Sequence, residues 1–210
     1  MIKVLVADDH AIVRRGLKQI LADTPDIVAA GEASTAQEVM QLVREQRWTV
    51  VLLDISIPGA TGLDLLADIK RDKPELPVLI LTAYPEEQYA VRAIRAGAAG
   101  FLTKESAPEK LIEAVRKVAG GGRYVSAELA ETLASLLAGE AGGAPHERLS
   151  NREFEVFKML SSGKTVSQVA QMLSLSVKTV STHRTRILKK MEMKTNAELT
   201  HYAMRNKLVE

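Results

Sequence analysis

Along the first 120 residues, short apolar runs alternate with amphipathic stripes. The runs are Val4–Ala7, Ile27–Ala30, Val50–Leu53, Val78–Leu81 and Ala99–Leu102. They are nearly uninterrupted, the pattern of strands buried on both faces of a parallel sheet. Between them, Val13, Leu17, Ile20 and Leu21, and then Ala36, Val39, Met40 and Val43, fall at helical spacing. Leu65, Leu66 and Ile69 follow a Pro58-Gly59 loop; Ala90, Val91 and Ile94 follow the fourth run; Leu111, Ile112, Val115 and Val118 follow the fifth. Five strand–helix units in succession predict an α/β, doubly wound, five-stranded parallel sheet.

After Gly120-Gly121-Gly122 the pattern changes. Leu129, Leu133, Leu136 and Leu137 predict a short connecting helix, and Gly139 to Pro145 has the composition of a flexible tether. From Leu149 no strand pattern remains. Ser150 and Glu153 have capping-box spacing at a helix start. Val166, Val169, Ala170 and Leu173 mark the face of a next helix. Ser174-Leu175-Ser176 reads as a tight turn, with Ser176 capping a helix from Val177 to about Met191. Two helices joined by so short a turn give a helix-turn-helix outline. Leu199, Tyr202 and Ala203 predict a closing helix. The expected organisation is a sheet domain over residues 1–122, a linker over 123–147 and a smaller all-α domain over 148–210.

Composition narrows the chemistry. With no cysteine, disulfides, thiolate metal sites and cysteine nucleophiles are excluded. The first apolar run meets Asp8-Asp9 at once, so it predicts neither a signal peptide nor a membrane span, and a cytoplasmic protein with no membrane partner is expected. The formal net charge of +2 conceals a split. Residues 148–210 hold 12 Lys+Arg against 5 Asp+Glu, an excess of +7; residues 1–147 hold the other 16 and 21, an excess of −5. The C-terminal part is therefore suited to a polyanion. His10, His146, His183 and His201 lack metal-ligand spacing and are read as structural or surface residues, and Trp48 as core filler.

Polar groups end four of the five runs: Asp8 and Asp9, Asp54, Thr82, and Lys104. In a doubly wound sheet the crevice beyond the carboxyl ends of the strands is where ligands bind, so these groups gather at one rim. Singly, each has an ordinary role as a cap, turn or solvated residue; jointly they describe a site for a divalent cation and a phosphoryl group. Two carboxylates about 5 Å apart at an effective dielectric near 20 repel by roughly 3 kcal/mol. A hard dication such as Mg²⁺ removes that cost, and a carboxylate can serve as a nucleophile toward phosphorus.

Val-Ala-Asp8-Asp9-His, Leu-Leu-Asp54-Ile-Ser-Ile-Pro58-Gly, Leu-Thr82-Ala83 and Gly-Phe101-Leu-Thr-Lys104 resemble the receiver domain of two-component response regulators, a CheY-like, flavodoxin-like fold. The resemblance implies that Asp54 is the phosphoacceptor, charged by a sensor histidine kinase. It implies Mg²⁺ held by Asp8, Asp9, Asp54 and the backbone carbonyl of Ser56, with Lys104 and Thr82 on phosphoryl oxygens. Thr82 and Phe101 are implied as the switch pair, the ring turning inward as Thr82 moves. Glu105 follows Lys104 where many members have proline, which argues against a cis peptide there. Tyr84 is expected to shield the acyl phosphate from water.

On a wheel of 100° per residue, Val177, Val180, Ile187, Leu188 and Met191 fall on one side of the expected recognition helix, opposite Lys178, Thr182, Thr185, Arg186 and Lys189. Cations suit phosphates, and hydroxyls and methyls suit base edges. Leu149-Ser-Asn-Arg-Glu153, Gly163, Val169-Ala170 and Leu175-Ser176-Val-Lys178-Thr179-Val180, with His183-Arg184, are similar to the LuxR-type helix-turn-helix. Joined to the receiver-like part, the chain resembles the NarL/FixJ subfamily. That resemblance implies a transcription regulator binding double-stranded promoter DNA as a homodimer formed on phosphorylation, with RNA polymerase as a further partner. By position Ser181, Thr182 and Thr185 read bases; Lys178, Arg184 and Arg186 hold phosphates; Thr179 and Lys189 complete the face. Such a protein is no enzyme beyond its own phosphorylation and dephosphorylation. Two other readings stay open. One is an aspartate-nucleophile phosphohydrolase, although Ser56 stands where its second carboxylate belongs; the other is a constitutive DNA-binding regulator with an inactive receiver.

Overall fold

The computed structural model describes residues 1–59, 61–106, 108–137, 144–173 and 175–209. Most of the expected tether and Ser174 of the expected turn fall outside them, as do the side chains of Leu136 and Leu137. The chain divides into two compact units, Met1–Ala134 and Ser135–Glu210.

The first unit is a five-stranded parallel sheet in the order β2-β1-β3-β4-β5. Its strands are β1 (Ile2–Ala7), β2 (Ile27–Ala33), β3 (Val50–Leu53), β4 (Val78–Thr82) and β5 (Gly100–Thr103). The helices between and after them are α1 (Ala11–Ala22), α2 (Ala36–Glu45), α3 (Gly62–Asp72), α4 (Glu86–Arg95) and α5 (Pro108–Ala119). Val4, Val6, Leu52, Leu79, Leu81 and Leu102 share a core with Leu17 and Leu21 of α1 and Leu111, Val115 and Val118 of α5. Leu5, Val51, Leu53, Ile80 and Phe101 alternate with them and point to the opposite face, where α2, α3 and α4 pack side by side. Burial on both faces is what makes the runs continuous.

Three expectations shift. β2 runs three residues past Ala30, through Gly31, Glu32 and Ala33. It is an edge strand, and its partly exposed Glu32 carries ion pairs to Arg14 and Lys18 of α1. Gly31 belongs to the strand because Trp48 packs on it: a Cβ there would sit 2.3 Å from the indole ring, whose Nε1 donates to the Leu42 carbonyl at 2.9 Å. On α4 the buried residues are Tyr89, Ala90 and Ala93, while Val91 and Ile94 are only half-buried. Beyond residue 122 the chain stays on the first unit, with Tyr124 bridged to Gly100 at the free edge of β5. Leu129 of α6 (Ala127–Leu137) is buried. All described peptide bonds are trans, that between Lys104 and Glu105 included.

The second unit is helical: a 3-10 turn (Pro145–Arg148), α7 (Asn151–Ser161), α8 (Val166–Met172), α9 (Val177–Lys190) and α10 (Asn196–Arg205). Ser150, Thr165, Ser176 and Thr195 each cap the helix they precede, the first two as reciprocal capping boxes with Glu153 and Gln168. Phe154, Phe157, Val169, Val180, Ile187, Leu199 and Ala203 form its core. Among the described residues, no helix is long and apolar enough to cross a membrane.

Candidate functional site

The strand ends assemble an acidic rim. Asp8 follows β1 and Asp54 follows β3, and the two strands are neighbours, with Ala7 opposite Leu53 in register. The Asp54 N–H donates to the Ala7 carbonyl at 2.9 Å, locking the two carboxylate positions side by side. Lys104 follows β5 and spans the gap: its ammonium lies 2.6 Å from Asp8 Oδ2 and 2.7 Å from Asp54 Oδ2. Both carboxylates are buried, at 3% and 2% side-chain exposure. Burial pulls the Lys104 pKa down, but the hydrogen bonds and charges of Asp54 and Asp8 outweigh it and hold the ammonium above the ordinary lysine value. Asp9, partly exposed, accepts from or pairs with His10 Nδ1 at 2.7 Å. Asp8, Asp9, His10 and Asp54 each bring one ligand atom within 4.8 Å of the others.

The remaining predicted residues sit around this core. The Ser56 N–H donates to Asp54 Oδ1 at 3.2 Å. Thr82 ends β4, is fully buried, and its hydroxyl accepts from the Tyr84 N–H at 3.4 Å. The Lys104 N–H donates to the Thr82 carbonyl at 2.8 Å, so the ends of β4 and β5 are tied together. Phe101 is already inside the molecule, 1% exposed. The Tyr84 ring stacks on Tyr89 of α4, with ring centroids 4.7 Å apart.

Two positioning residues escaped the sequence reading. Arg14 of α1 donates from Nη1 to the Asp8 carbonyl at 2.7 Å, holding the loop that carries Asp8 and Asp9. Gly62 opens α3 directly against the backbone after Asp54. A Cβ there would lie 2.3 Å from Ile55 Cα and 2.8 Å from the Asp54 carbonyl oxygen, closer than any side chain is tolerated. Neither shows a periodicity or charge signal; their role appears only once the chain is folded.

In the second unit, α9 presents a cationic face. Lys178, Ser181, Thr182, Thr185, Arg186 and Lys189 are exposed, whereas Thr179 and Arg184 are half-buried. The Thr179 hydroxyl pairs with Ser176 Oγ at 2.8 Å within the cap. Arg184 donates from Nε to Asn196 Oδ1 at 2.7 Å, which ties α9 to α10 rather than aiming that N–H outward. Lys190, also exposed, reaches back to buried Glu153 at 2.6 Å. Burial would raise the Glu153 pKa, but the bonds from Lys190 and Ser150 prevail and hold it below the usual glutamate range. Val177, expected on the apolar side, is instead 51% exposed: as the first residue of α9 it has no preceding turn to pack it against α7. His146 bonds the Tyr202 hydroxyl at 2.8 Å and His183 is half-buried, with Nδ1 lacking a partner.

Comparison with known proteins agrees with this two-part layout. Residues 4–116 match the response regulator receiver domain, and residues 147–203 match the bacterial regulatory proteins of the luxR family. The response regulator UvrY of Escherichia coli (strain K12) is 36% identical over 209 residues, covering 99% of this chain and 96% of that protein. The response regulator GacA of Pseudomonas aeruginosa is 36% identical over 211 residues, covering 100% and 99%. Among solved structures, RcsB from Salmonella enterica serovar Typhimurium, bound to promoter rprA in the presence of the phosphomimetic BeF3−, superposes with a TM-score of 0.68 at 25% identity, covering 96% of this chain and 97% of that one.

Proposed function

The chain belongs to the two-component response regulators of the NarL/FixJ subfamily, DNA-binding proteins that join a receiver to a LuxR-type helix-turn-helix, and from that premise we propose that phosphorylation of Asp54 controls its hold on promoter DNA. The observation that carries the proposal is the Lys104 ammonium between the buried carboxylates of Asp8 and Asp54. A sensor kinase phosphohistidine is the donor. One Asp54 oxygen bonds to phosphorus as the phosphorus–nitrogen bond breaks, and the imidazole keeps the electron pair. Lys104 then holds one phosphoryl oxygen and the Thr82 hydroxyl donates to another. The chain catalyses only this transfer to itself and the later loss of phosphate.

The residues fit Mg²⁺. Three carboxylates against one ammonium leave two negative charges, which a dication balances, and all the proposed donors are hard oxygens. Asp8, Asp9, Asp54 and the Ser56 carbonyl are the proposed ligands, with His10 swinging off Asp9. Bound there, the ion supplies neutralisation of phosphoryl charge.

The output is groove binding by α9, with Lys178, Arg186 and Lys189 on phosphates and Ser181, Thr182 and Thr185 toward bases; Thr179 and Arg184 hold the helix in place. The active form is a homodimer on two half-sites, acting in the cytoplasm and contacting RNA polymerase at the promoter. Footprinting of the full chain with and without acetyl phosphate and Mg²⁺ tests this. Protection should strengthen with the donor in the wild type and not in Asp54→Asn; donor-independent protection, or a response that survives in Asp54→Asn, would refute it.

A further inference from the structure

We propose that α9 selects A·T base pairs by packing the methyl groups of Val177, Thr182 and Thr185 against thymine methyls in the major groove; this rests on the groove-binding reading above and adds what the helix reads. The Thr182 hydroxyl donates to the Lys178 carbonyl at 3.0 Å and the Thr185 hydroxyl to the Ser181 carbonyl at 3.1 Å. Their protons are spent inside the helix. What the two side chains turn outward is a methyl group and oxygen lone pairs, a surface that accepts but does not donate.

Of the two features, the methyl group is the one that singles out a base pair. In the major groove adenine and cytosine each show an amino donor that an acceptor can meet, and guanine shows two acceptors, but the methyl group is thymine's alone and gives an apolar surface its A·T preference. Val177 extends the apolar strip. It stands at the N-terminal end of α9, the end of a recognition helix that meets base edges, and is 51% exposed. Val177, Ser181 and Thr185 follow one another at i, i+4 spacing along a single ridge. Ser181 is the small member of the ridge and leaves room for a base edge. Lys178, Arg186 and Lys189 share this face and are exposed; their long side chains reach the phosphates and bring the methyl-bearing residues to the groove floor.

The test uses full-length protein, acetyl phosphate with Mg²⁺, and duplexes that this protein selects from a random pool. Each selected half-site is made with thymine or with deoxyuridine, which differs only by the missing methyl. For wild type, each contacted thymine replaced should weaken binding about 4-fold, the value of one buried methyl. Val177→Ala, Thr182→Ser and Thr185→Ser should each lose the thymine–uridine difference at one position and keep it at the others. Val177→Thr, which retains one methyl, should keep part of it. Equal binding of thymine and uridine duplexes by wild type overturns the inference. So do selected sites without thymine, and discrimination unchanged in all three variants. In each of those outcomes phosphorylation-dependent footprints still stand or fall separately; failure to select any duplex would remove both readings together.

Discussion

Replacing Lys104 by Met keeps a side chain of similar reach and deletes the one cation between Asp8 and Asp54. The two oxygens it binds, at 2.6 and 2.7 Å, lie on side chains only 3% and 2% exposed. Two oxygens on one ammonium are no more than about 5 Å apart, so without it they repel by roughly 3 kcal/mol at an effective dielectric near 20. That agrees with the ~3–5 kcal/mol lost when a buried ion pair is deprived of one partner. Urea unfolding followed by the fluorescence of Trp48, the chain's one tryptophan, reports on the first unit alone. At pH 7 without Mg²⁺ the variant should be less stable by about 3 kcal/mol. Mg²⁺ should then stabilise the variant more than the wild type, because three carboxylates without the ammonium bind a dication more strongly. The folded-state pKa of Lys104 is raised, so its contribution is complete below the ordinary lysine value of about 10.4 and disappears only as pH rises through the higher folded value. The difference between variant and wild type should accordingly be level across neutral pH and narrow in strong alkali. A difference below about 1 kcal/mol, or equal stabilisation of both proteins by Mg²⁺, would refute this account of the rim.

Gly62→Ala pushes a Cβ into the Ile55 backbone; it should cost about 1–3 kcal/mol in the same unfolding assay and slow phosphorylation by acetyl phosphate, as the shifted segment carries Asp54. Glu153→Gln breaks the link from α7 to α9 and should destabilise the second unit by about 1.5–3 kcal/mol, less than a fully buried pair because Lys190 is 41% exposed; the helical signal of the second unfolding transition measures it. Because the Glu153 pKa is depressed by folding, the wild-type contribution is present above the ordinary glutamate value and lost as pH falls through the lower folded one, so the second unit should weaken in acid and the variant should not. Lys189→Gln and Arg186→Gln should each lower the slope of log K against log salt by about 0.9 without changing the selected sequence; an unchanged slope would take those residues off the phosphates.

What the sequence revealed follows from where each residue's signal arises. β1, β3 and β4 are central, covered by helices on both faces, and nothing interrupts their apolar runs. β2 lies at the edge, where Glu32 can reach Arg14 and Lys18, so its apolar run stopped short of its real end. The inward side of α4 is hard to read from the pattern because alanines at 90 and 93 carry little hydrophobic contrast, and Tyr89 supplies the bulk. The rim residues were readable because strand ends are one-dimensional landmarks: the residue after a strand lies at the rim wherever the strand lies in the sheet. Gly62 and Arg14 act through backbone approach and a carbonyl contact, which leave no trace in composition or period. Val177 departs from the wheel because a helical wheel assumes a turn on either side, and the first residue of a helix has only one.

On the proposed mechanism, the position of Phe101 bears on where a response to phosphorylation starts. An aromatic ring that turned inward only after Thr82 had moved would be exposed in its absence, yet Phe101 is 1% exposed in a structure where Lys104 still bridges the two carboxylates. With the ring buried while Lys104 bridges the carboxylates, we propose that the response to a phosphoryl group begins at Thr82. Thr82 is bonded on both sides: its carbonyl accepts from the Lys104 N–H and its hydroxyl from the Tyr84 N–H. On the proposed mechanism the new phosphoryl oxygens draw on Lys104 and on the Thr82 hydroxyl together. Turning that hydroxyl toward phosphate breaks its long 3.4 Å bond to Tyr84, the weakest link in the set. Tyr84 is stacked on Tyr89, which is buried in α4, so the segment freed to move is the β4–α4 connection and the helix it leads into. Amide exchange measured with and without acetyl phosphate should then change at Tyr84 and through the first turn of α4, while the Phe101 amide, held by the Tyr124 carbonyl at the edge of the sheet, stays protected. Exchange that quickened at Phe101 and not at Tyr84 would return the switch to the ring.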